Sequence, residues 1–262
     1  MRIALGIEYA GQAYYGWQRQ DISPTVQEVL ESALSEVADE KINVVCAGRT
    51  DTGVHALQQV VHFETNSKRE DKAWQLGTNT KLPNDVAVTW VLNVDEDFHA
   101  RFSAERRTYQ YLILNRRARP AVLNGLVTWV YQQLNYERMK QASFSLLGEN
   151  DFSSFRAAAC QAKSPIRTIH QLDIKKLGDW YLITICANAF LHHMVRNIAG
   201  VLIAIGEGKK DISWIDEVLH AKDRTAAGVT APPHGLYLTD IKYPDRYIIP
   251  KPDTLIDKFE IK

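Results

Sequence analysis

The stretch GRTDTGVHA holds one acidic side chain, Asp51, in a turn that has a glycine on either side and apolar runs beyond. A carboxylate in such a turn can act as a nucleophile or as a general base. Arg49 stands two residues earlier, and a nearby guanidinium favours the ionised form of a carboxylate. Asp51 is therefore suited to be a nucleophile or base rather than a proton donor. An aspartate that caps its own turn gives the same pattern, so both interpretations stay open on this stretch alone.

Two enzyme classes share part of this motif and are excluded by a missing residue. The string DTG from Asp51 to Gly53 occurs in aspartic proteases, which need a second aspartate to share a proton. The chain has no second DTG. A phosphotransferase of the aspartyl-phosphate type needs another acid two residues on to hold magnesium, and that position is Gly53.

The composition restricts the remaining classes. A chain of 262 residues with 45% hydrophobic content can bury a sizeable core. The cysteines Cys46, Cys160 and Cys186 are widely spaced, which supports neither a disulfide framework nor a zinc site. The sequence carries no P-loop or dinucleotide fingerprint, and MRIALGIEYAG resembles a strand rather than a signal peptide. These features predict a soluble cytoplasmic protein.

Charge is unevenly distributed along the chain. The 31 basic and 31 acidic residues cancel, which alone argues against a polyanionic partner. The segment from His99 to Arg119, however, contains a single acid, Glu105, and six arginines: Arg101, Arg106, Arg107, Arg116, Arg117 and Arg119. Such a cluster is typical of an anion-binding face, although a solvated charged surface gives it too.

Periodicity predicts the elements that must hold these residues. Alternating apolar positions predict strands in RIALGIEYA, NVVCAG, LQQVVHFET, DVAVTWVLNV and RTYQYLILN. Helical spacing predicts helices at Val26 to Val37, with a capping box of Thr25 and Glu28, at Tyr136 to Leu147, and in FLHHMVRNIAGVLIAIGEG, where Gly200 allows close packing. A hairpin should turn at Gly178 and Asp179.

These elements predict an α+β fold. We expect two strand-and-helix lobes that share one large mixed or antiparallel central sheet, with an active-site cleft between the lobes. Residues 1–104 would form the N-terminal lobe, which carries the turn of Asp51. Residues 105–262 would form the C-terminal lobe and complete the cleft.

Six blocks in order resemble the tRNA pseudouridine synthase A family and cover nearly the whole chain. They are YAGQAYYGWQRQ with TVQEVLESAL, CAGRTDTGVHA with QVVHF, FHARFSAERRTYQYLI, DFSSFRAAACQAKSPIR, FLHHMVRNIAGVLI and AGVTAPPHGLYL. Thr52 departs from the family pattern, where alanine is more frequent. The change exchanges one small residue for another and should not disturb the turn.

The resemblance implies an enzyme without cofactor or metal that converts uridine to pseudouridine in the anticodon stem-loop, at tRNA positions 38 to 40. It implies a homodimer that binds tRNA. Asp51 would be the catalytic carboxylate, and Arg196 in HHMVRN its ion-pair partner. Tyr109 in RTYQY would stack on the flipped base, and Leu236 in HGLYL would form an apolar wall of the uracil pocket.

The resemblance also implies a set of residues that bind the RNA. Besides Tyr109 and Leu236 they are Arg49, Arg69, Phe98, His99, Ala100, Arg101, Phe102, Gln161 and Lys163, with Arg49 and Arg69 expected near Asp51. A paired or stacked uridine must swing out of the stem, and contacts to the RNA backbone would offset that cost. His55 and His193 are interpreted as structural histidines. The alternatives are a non-catalytic RNA-binding protein of the same fold and a related synthase with another uridine site.

Overall fold

The computed structural model describes residues 1–21, 23–252 and 254–255. The strands are β1 (Arg2–Tyr9), β2 (Val45–Cys46), β3 (His55–Glu64), β4 (Val86–Val94), β5 (Arg106–Asn115), β6 (Thr128–Val130), β7 (Gly148–Asp151), β8 (Ile166–Leu177), β9 (Trp180–Ala187) and β10 (Leu236–Lys242). The α-helices are α1 (Val26–Ala38), α2 (Tyr136–Ser143), α3 (Met194–Gly206) and α4 (Trp214–Ala221).

Within these described residues, ten strands belong to one mixed sheet. Parallel pairing of β10 with β3 and of β6 with β5 is combined with antiparallel pairing elsewhere. The predicted α+β class with a large central sheet is therefore confirmed. The chain divides into two compact units, Met1–Arg107 with Tyr237–Thr254, and Thr108–Leu236 with Leu255–Lys262.

The two compact units differ from the predicted lobes, residues 1–104 and 105–262, in two respects: the first unit continues to Arg107, and it also includes Tyr237–Thr254. Tyr237–Thr254 belongs to the first unit, because Tyr237 and Leu238 of β10 pair with His55 and Ala56 of β3. Residues 253 and 256–262, at the end of the predicted second lobe, lie outside the described residues. The functional division into two lobes stays a prediction.

In the first unit the strands follow the order β4, β1, β3 and β10, with the short β2 pairing with β3. β1 lies antiparallel to both β3 and β4. Helix α1 buries Val26, Leu30 and Leu34, as its apolar spacing predicts. The Thr25 side chain accepts a hydrogen bond from the Glu28 amide at 3.3 Å, so the predicted helix start is confirmed.

In the second unit the order is β5, β9, β8 and β7. The hairpin of β8 and β9 closes at Gly178, whose φ of 58° suits a glycine in a tight turn, as predicted. Helix α3 buries most of its side chains. A Cβ at Gly200 would collide with the Val229 carbonyl oxygen, so the predicted close packing at this glycine is confirmed. None of the helices in the described ranges is long and apolar enough to cross a bilayer.

Candidate active site

Asp51 lies half-buried in the turn that leads into β3. The Val54 amide donates to the Asp51 carbonyl at 3.1 Å, which closes the turn. Gly53 has a φ of 76°, in the left-handed region that a glycine adopts without strain. The glycine two residues after Asp51 in the GRTDTG motif is therefore required by the backbone geometry of the turn.

The segment between β1 and α1 holds this turn on both sides of the aspartate. The Trp17 amide donates to the Thr50 carbonyl at 3.0 Å, and the Gly53 amide donates to the Tyr14 carbonyl at 3.3 Å. The hydroxyls of Tyr9 and Thr50 are hydrogen-bonded at 2.7 Å in a buried position. Three hydrogen bonds thus fix the residues that flank Asp51.

Two glycines allow this close approach. A Cβ at Gly11 would collide with the Val54 carbonyl, and one at Gly16 would lie 2.7 Å from the Thr50 carbonyl oxygen. Gly16 also has a φ of 90°. Sequence analysis missed this contribution of AGQAYYGW, although two glycines within an aromatic-rich segment indicate close backbone packing.

Arg49 and Arg101 lie beside β2, the strand that precedes the turn. Burial raises the pKa of the Cys46 thiol to about 11, and the guanidiniums of Arg49 and Arg101 counteract that rise. Both arginines are therefore close to the same thiol, and both are exposed. Arg107 donates to the carbonyls of Ala47 at 3.1 Å and of Arg101 at 2.7 Å, which joins the two segments.

Two residues of the segment FHARF are fully buried. Phe98 and Ala100 are 0% exposed, so a contact of these residues with RNA would involve their backbone, and their expected role in RNA binding stays a prediction. Phe98 packs against Tyr243, whose hydroxyl donates to the Ala100 carbonyl at 2.6 Å. The side chains alternate, and His99 is half-buried while Arg101 and Phe102 are exposed.

Arg69 does not lie near Asp51. It follows the far end of β3, where its Nε donates to the Val37 carbonyl at 3.1 Å. The ten residues of β3 extend over about 30 Å at a rise of about 3.3 Å per residue. The expected proximity is therefore wrong, because an uninterrupted strand separates the two residues.

In the second unit, Tyr109 on β5 is buried and meets Phe190 edge to face, with the ring centroids 5.0 Å apart. Such a pair fixes the orientation of the tyrosine ring. Two residues on, the Tyr111 hydroxyl donates to the Pro232 carbonyl at 2.8 Å. Burial holds the pKa of Tyr111 above its usual range, and the charge of Arg196 opposes that shift.

Arg196 is half-buried in the first turn of α3. Its Nε donates to the Ala231 carbonyl at 2.8 Å, and its own carbonyl accepts from the Ala231 amide at 3.1 Å. These bonds orient the guanidinium and hold the segment that leads into β10. Leu236, the first residue of β10, is buried.

The loop CQAKSPIR has its predicted phosphate-binding side chains on the surface. Gln161 and Lys163 are exposed. Arg167 donates to the carbonyls of Ser164 and Ile166, and these hydrogen bonds stabilise the loop.

His55 and His193, both interpreted from the sequence as structural histidines, differ in their surroundings and backbone conformation. His55 is buried, accepts a hydrogen bond from the Gly11 amide at 3.1 Å, and stacks on Tyr237 with the centroids 4.6 Å apart. These contacts agree with a structural histidine. His193 has a φ of 63° at the start of α3, a conformation that is strained for a residue with a side chain.

A comparison with protein families identifies the chain. The family model described as tRNA pseudouridine synthase matches residues 6–103 and 142–244 of this chain. These ranges include the turn of Asp51, the start of α3 and β10. The chain belongs to the tRNA pseudouridine synthase family. The resemblance stated from the six sequence blocks is therefore confirmed.

Individual members of the tRNA pseudouridine synthase family align over nearly the whole chain. The tRNA pseudouridine synthase A of Pseudoalteromonas atlantica is 55% identical over 251 residues, which are 96% of this chain and 95% of that protein. Those of Enterobacter sp. strain 638 and Escherichia coli O1:K1 are each 57% identical, over 96% of this chain and 93% of theirs.

Proposed function

We propose that this protein isomerises uridine to pseudouridine in tRNA, with Asp51 as the catalytic carboxylate. The observation that carries the proposal is the turn of Asp51, fixed on both sides by hydrogen bonds, in a member of the tRNA pseudouridine synthase family. A side chain held in this way is preorganised for reaction rather than free to sample other positions. Relatives that are 55% to 57% identical to this chain are named tRNA pseudouridine synthase A, which supports the assignment.

The reaction conserves all atoms of the nucleoside. The bond between the ribose C1′ and the uracil N1 breaks, the uracil rotates, and a bond forms between C1′ and C5. The proton on C5 is lost, and N1 gains one. Because substrate and product are isomers, the balance requires no oxidant or group donor. An ionised Asp51 can attack the sugar, attack the ring, or remove a sugar proton.

Tyr109 and Arg196 complete the proposed catalytic set, and Leu236 is proposed to bind the substrate. Tyr109 would stack on the flipped uracil, since its contact with Phe190 gives the ring a fixed orientation. Arg196 would be the counter-charge of Asp51, and its bond to Ala231 holds the guanidinium in place. Leu236 would form an apolar wall of the base pocket.

The substrate site would lie in the anticodon stem-loop, at tRNA positions 38 to 40, and the enzyme would act as a homodimer. Arg49, Arg101, Gln161 and Lys163 are exposed and would contact phosphates. Their attraction for the RNA would offset the few kcal/mol that base flipping typically requires. Mapping pseudouridines in tRNA from cells that lack the protein tests the position.

The test of the activity is the variant Asp51→Asn, which keeps the size of the side chain and removes its charge. Release of tritium from tRNA labelled at uracil C5 measures turnover, because this hydrogen is lost in the reaction. We expect release to fall to background while the circular dichroism spectrum is unchanged. The control Asp179→Asn, in the exposed hairpin turn, should retain wild-type turnover. Near-normal turnover of a folded Asp51→Asn protein would contradict the proposal.

A further inference from the structure

Three polar side chains of the second unit form a closed ring of hydrogen bonds beside Arg196. Asn197, the next residue of α3, is 1% exposed. Its Oδ1 atom accepts from the Thr230 hydroxyl at 2.6 Å and from Nη2 of Arg224 at 3.2 Å. The same Nη2 atom donates to the Thr230 hydroxyl at 2.8 Å. Asn197, Arg224 and Thr230, called the Arg224 network below, therefore join α3 to the segment that precedes β10.

The Arg224 network is anchored at both of its ends. Asn197 donates from Nδ2 to the Phe155 carbonyl at 2.7 Å, in a buried position. Arg224 follows Asp223, whose amide donates to the Ser154 hydroxyl at 2.9 Å. Both anchors lie in the stretch 154–155, so the network is attached to one place in the unit.

The half-buried guanidinium of Arg224 is held by uncharged acceptors. Besides Asn197 and Thr230, it donates from Nη1 to the Ala227 carbonyl at 3.3 Å. Arginine offers five donors in a planar fork, and such a fork can bind several acceptors in fixed directions. The contribution of Arg224 is therefore geometric, because it holds the segment 227–230 against α3.

This segment continues into two residues of the proposed site. Thr230 is followed by Ala231, whose carbonyl accepts from Nε of Arg196 at 2.8 Å. The Ala231 amide donates to the Arg196 carbonyl at 3.1 Å. Five residues later the chain reaches Leu236, where β10 begins. The direction of the Arg196 guanidinium thus depends on a peptide that adjoins the Arg224 network.

Close packing alone does not set that direction. A Cβ at Gly200 would collide with the Val229 carbonyl, and one at Gly235 would collide with the Leu112 carbonyl. These contacts limit how near the backbones can be, but van der Waals contact has no preferred direction. Hydrogen bonds weaken steeply when they are misaligned. The Arg224 network therefore supplies the orientation that the glycine contacts leave open.

We propose that Arg224 is a positioning residue for the reaction, which orients Arg196 through Thr230 and Ala231. This inference rests on the proposed function and adds to it a residue that acts through Arg196. Loss of the network would free the Ala231 carbonyl and with it the Arg196 guanidinium. The reaction rate should suffer more than the affinity for tRNA, because the exposed basic residues are proposed to supply the affinity.

The experiment compares Arg224→Met with the matched control Arg138→Met. Arg138 is also a half-buried arginine of the second unit, and it holds the opposite end of α3, where its Nε donates to the Ile205 carbonyl at 3.2 Å. Each variant removes one cation and its hydrogen bonds. Urea unfolding measures stability, filter binding over a salt series measures affinity for tRNA, and single-turnover product formation at saturating enzyme measures the rate from pH 5 to pH 9.

We expect Arg224→Met to slow single-turnover formation of pseudouridine roughly 10- to 100-fold, with the affinity for tRNA and its salt dependence unchanged. Arg138→Met should also lose stability, yet it should keep the wild-type rate. A cation that is displaced from a carboxylate no longer lowers the pKa of that carboxylate. If Arg196 neutralises Asp51, the rate of Arg224→Met should therefore decline at a higher pH than the wild-type rate as the pH falls.

A second pair of variants tests the route through the hydroxyl, and it serves even if Arg224→Met does not fold. Thr230→Val keeps the shape of the side chain and removes the hydroxyl, so it should slow the reaction. Thr230→Ser retains the hydroxyl and should react at nearly the wild-type rate. The double variant Arg224→Met with Thr230→Val should be no slower than Arg224→Met, because both changes interrupt one connection.

The outcomes separate this inference from the proposed function. If the wild type makes pseudouridine and Arg224→Met matches its rate, the inference is wrong and the function stands. If Arg224→Met weakens tRNA binding and lowers the salt slope at an unchanged rate, Arg224 is a phosphate contact and the inference is again wrong. Equal rates for Thr230→Ser and Thr230→Val would exclude the route through the hydroxyl. A wild type that binds tRNA without making pseudouridine would overturn both the function and the inference.

Discussion

The backbone of the turn that carries Asp51 is held by uncharged neighbours. Thr50 is held through its hydroxyl by Tyr9 and through its carbonyl by the Trp17 amide, and Gly16 lies against the same carbonyl. A displacement of the Thr50 peptide therefore moves the aspartate directly. Even a small displacement would matter, because a shift of about 1 Å at a catalytic group can reduce the reaction rate by about 10²-fold.

The variant Gly16→Ala tests this dependence. Its Cβ would lie 2.7 Å from the Thr50 carbonyl oxygen, and a φ of 90° disfavours alanine. We expect single-turnover formation of pseudouridine to slow roughly 10- to 100-fold. The affinity for tRNA should stay within a small factor, since no basic residue is altered. Gly77→Ala is the control, because the nearest atom to its Cβ is a Val37 methyl at 3.5 Å. Equal rates for the two variants would show that the approach of Gly16 does not position Asp51.

The direction of individual side chains was only partly predictable. The motif GRTDTGVHA drew attention to Asp51, but the catalytic roles of Asp51 and Arg196 came from the resemblance to the family and stay predictions. All five residues of the block FHARF were expected to bind RNA, yet the side chains of Phe98 and Ala100 are buried. A match to a family block carries no information about which alternate side chains are buried, because burial depends on partners such as Tyr243 from a distant part of the chain.

Strand β3 connects the turn of Asp51 with the segment FHARF. His55 near its start accepts a hydrogen bond from the Gly11 amide, and His62 near its end accepts one from the Ala100 amide. The apolar pattern of LQQVVHFET predicted this strand correctly. Periodicity predicts that a strand is present but not which residues beyond its two ends are close in space. Arg69 was therefore expected near Asp51, although β3 separates them.

Burial of His62 on β3 predicts how stability depends on pH. Its pKa falls from 6.5 to about 4 in the folded protein, so the unfolded chain binds more protons in that interval. The free energy of unfolding should therefore decrease as the pH falls from about 6.5 toward about 4. The loss from this group at pH 4 is about 3 kcal/mol relative to pH 7.

Urea unfolding from pH 7 to pH 4.5 measures this effect in the wild type and in His62→Asn, whose amide oxygen can still accept from the Ala100 amide. We expect a shallower pH dependence for the variant, even if its stability at pH 7 is lower. The control His220→Asn, at an exposed position on α4, should follow the wild type. Parallel curves for His62→Asn and the wild type would contradict the assigned cause.

At the scale of the whole molecule, the predicted fold class and family are confirmed, whereas the homodimer and the uridine positions stay predictions. The family was accessible from sequence because its motifs are distributed over both units, from the turn of Asp51 to the start of β10. An interface between copies leaves no comparable pattern, because exposed apolar residues such as Trp129 and Tyr131 are compatible with several partners.

The distribution of charge over the molecule predicts that RNA binding and chemistry can be separated by mutation. Arg101 and Lys163 are exposed, one in each unit, and each proposed phosphate contact releases about one counterion on binding. Arg101→Gln and Lys163→Gln should weaken tRNA binding and lower the slope of log affinity against log salt by about 0.7 to 0.9 each. Asp51→Asn should bind tRNA within a small factor of the wild type and form no product.

Filter binding over a salt series, beside single-turnover product formation at saturating enzyme, measures both properties. The control Lys175→Gln removes an exposed charge of β8 outside the basic segments, and it should leave the slope unchanged. At saturation, the Arg101 and Lys163 variants should convert bound tRNA at nearly the wild-type rate, because the phosphate contacts supply affinity and Asp51 supplies the chemistry. If Asp51→Asn lost tRNA binding as severely as these variants, or if the wild type bound tRNA without ever making pseudouridine, the protein would be an RNA-binding module rather than an enzyme.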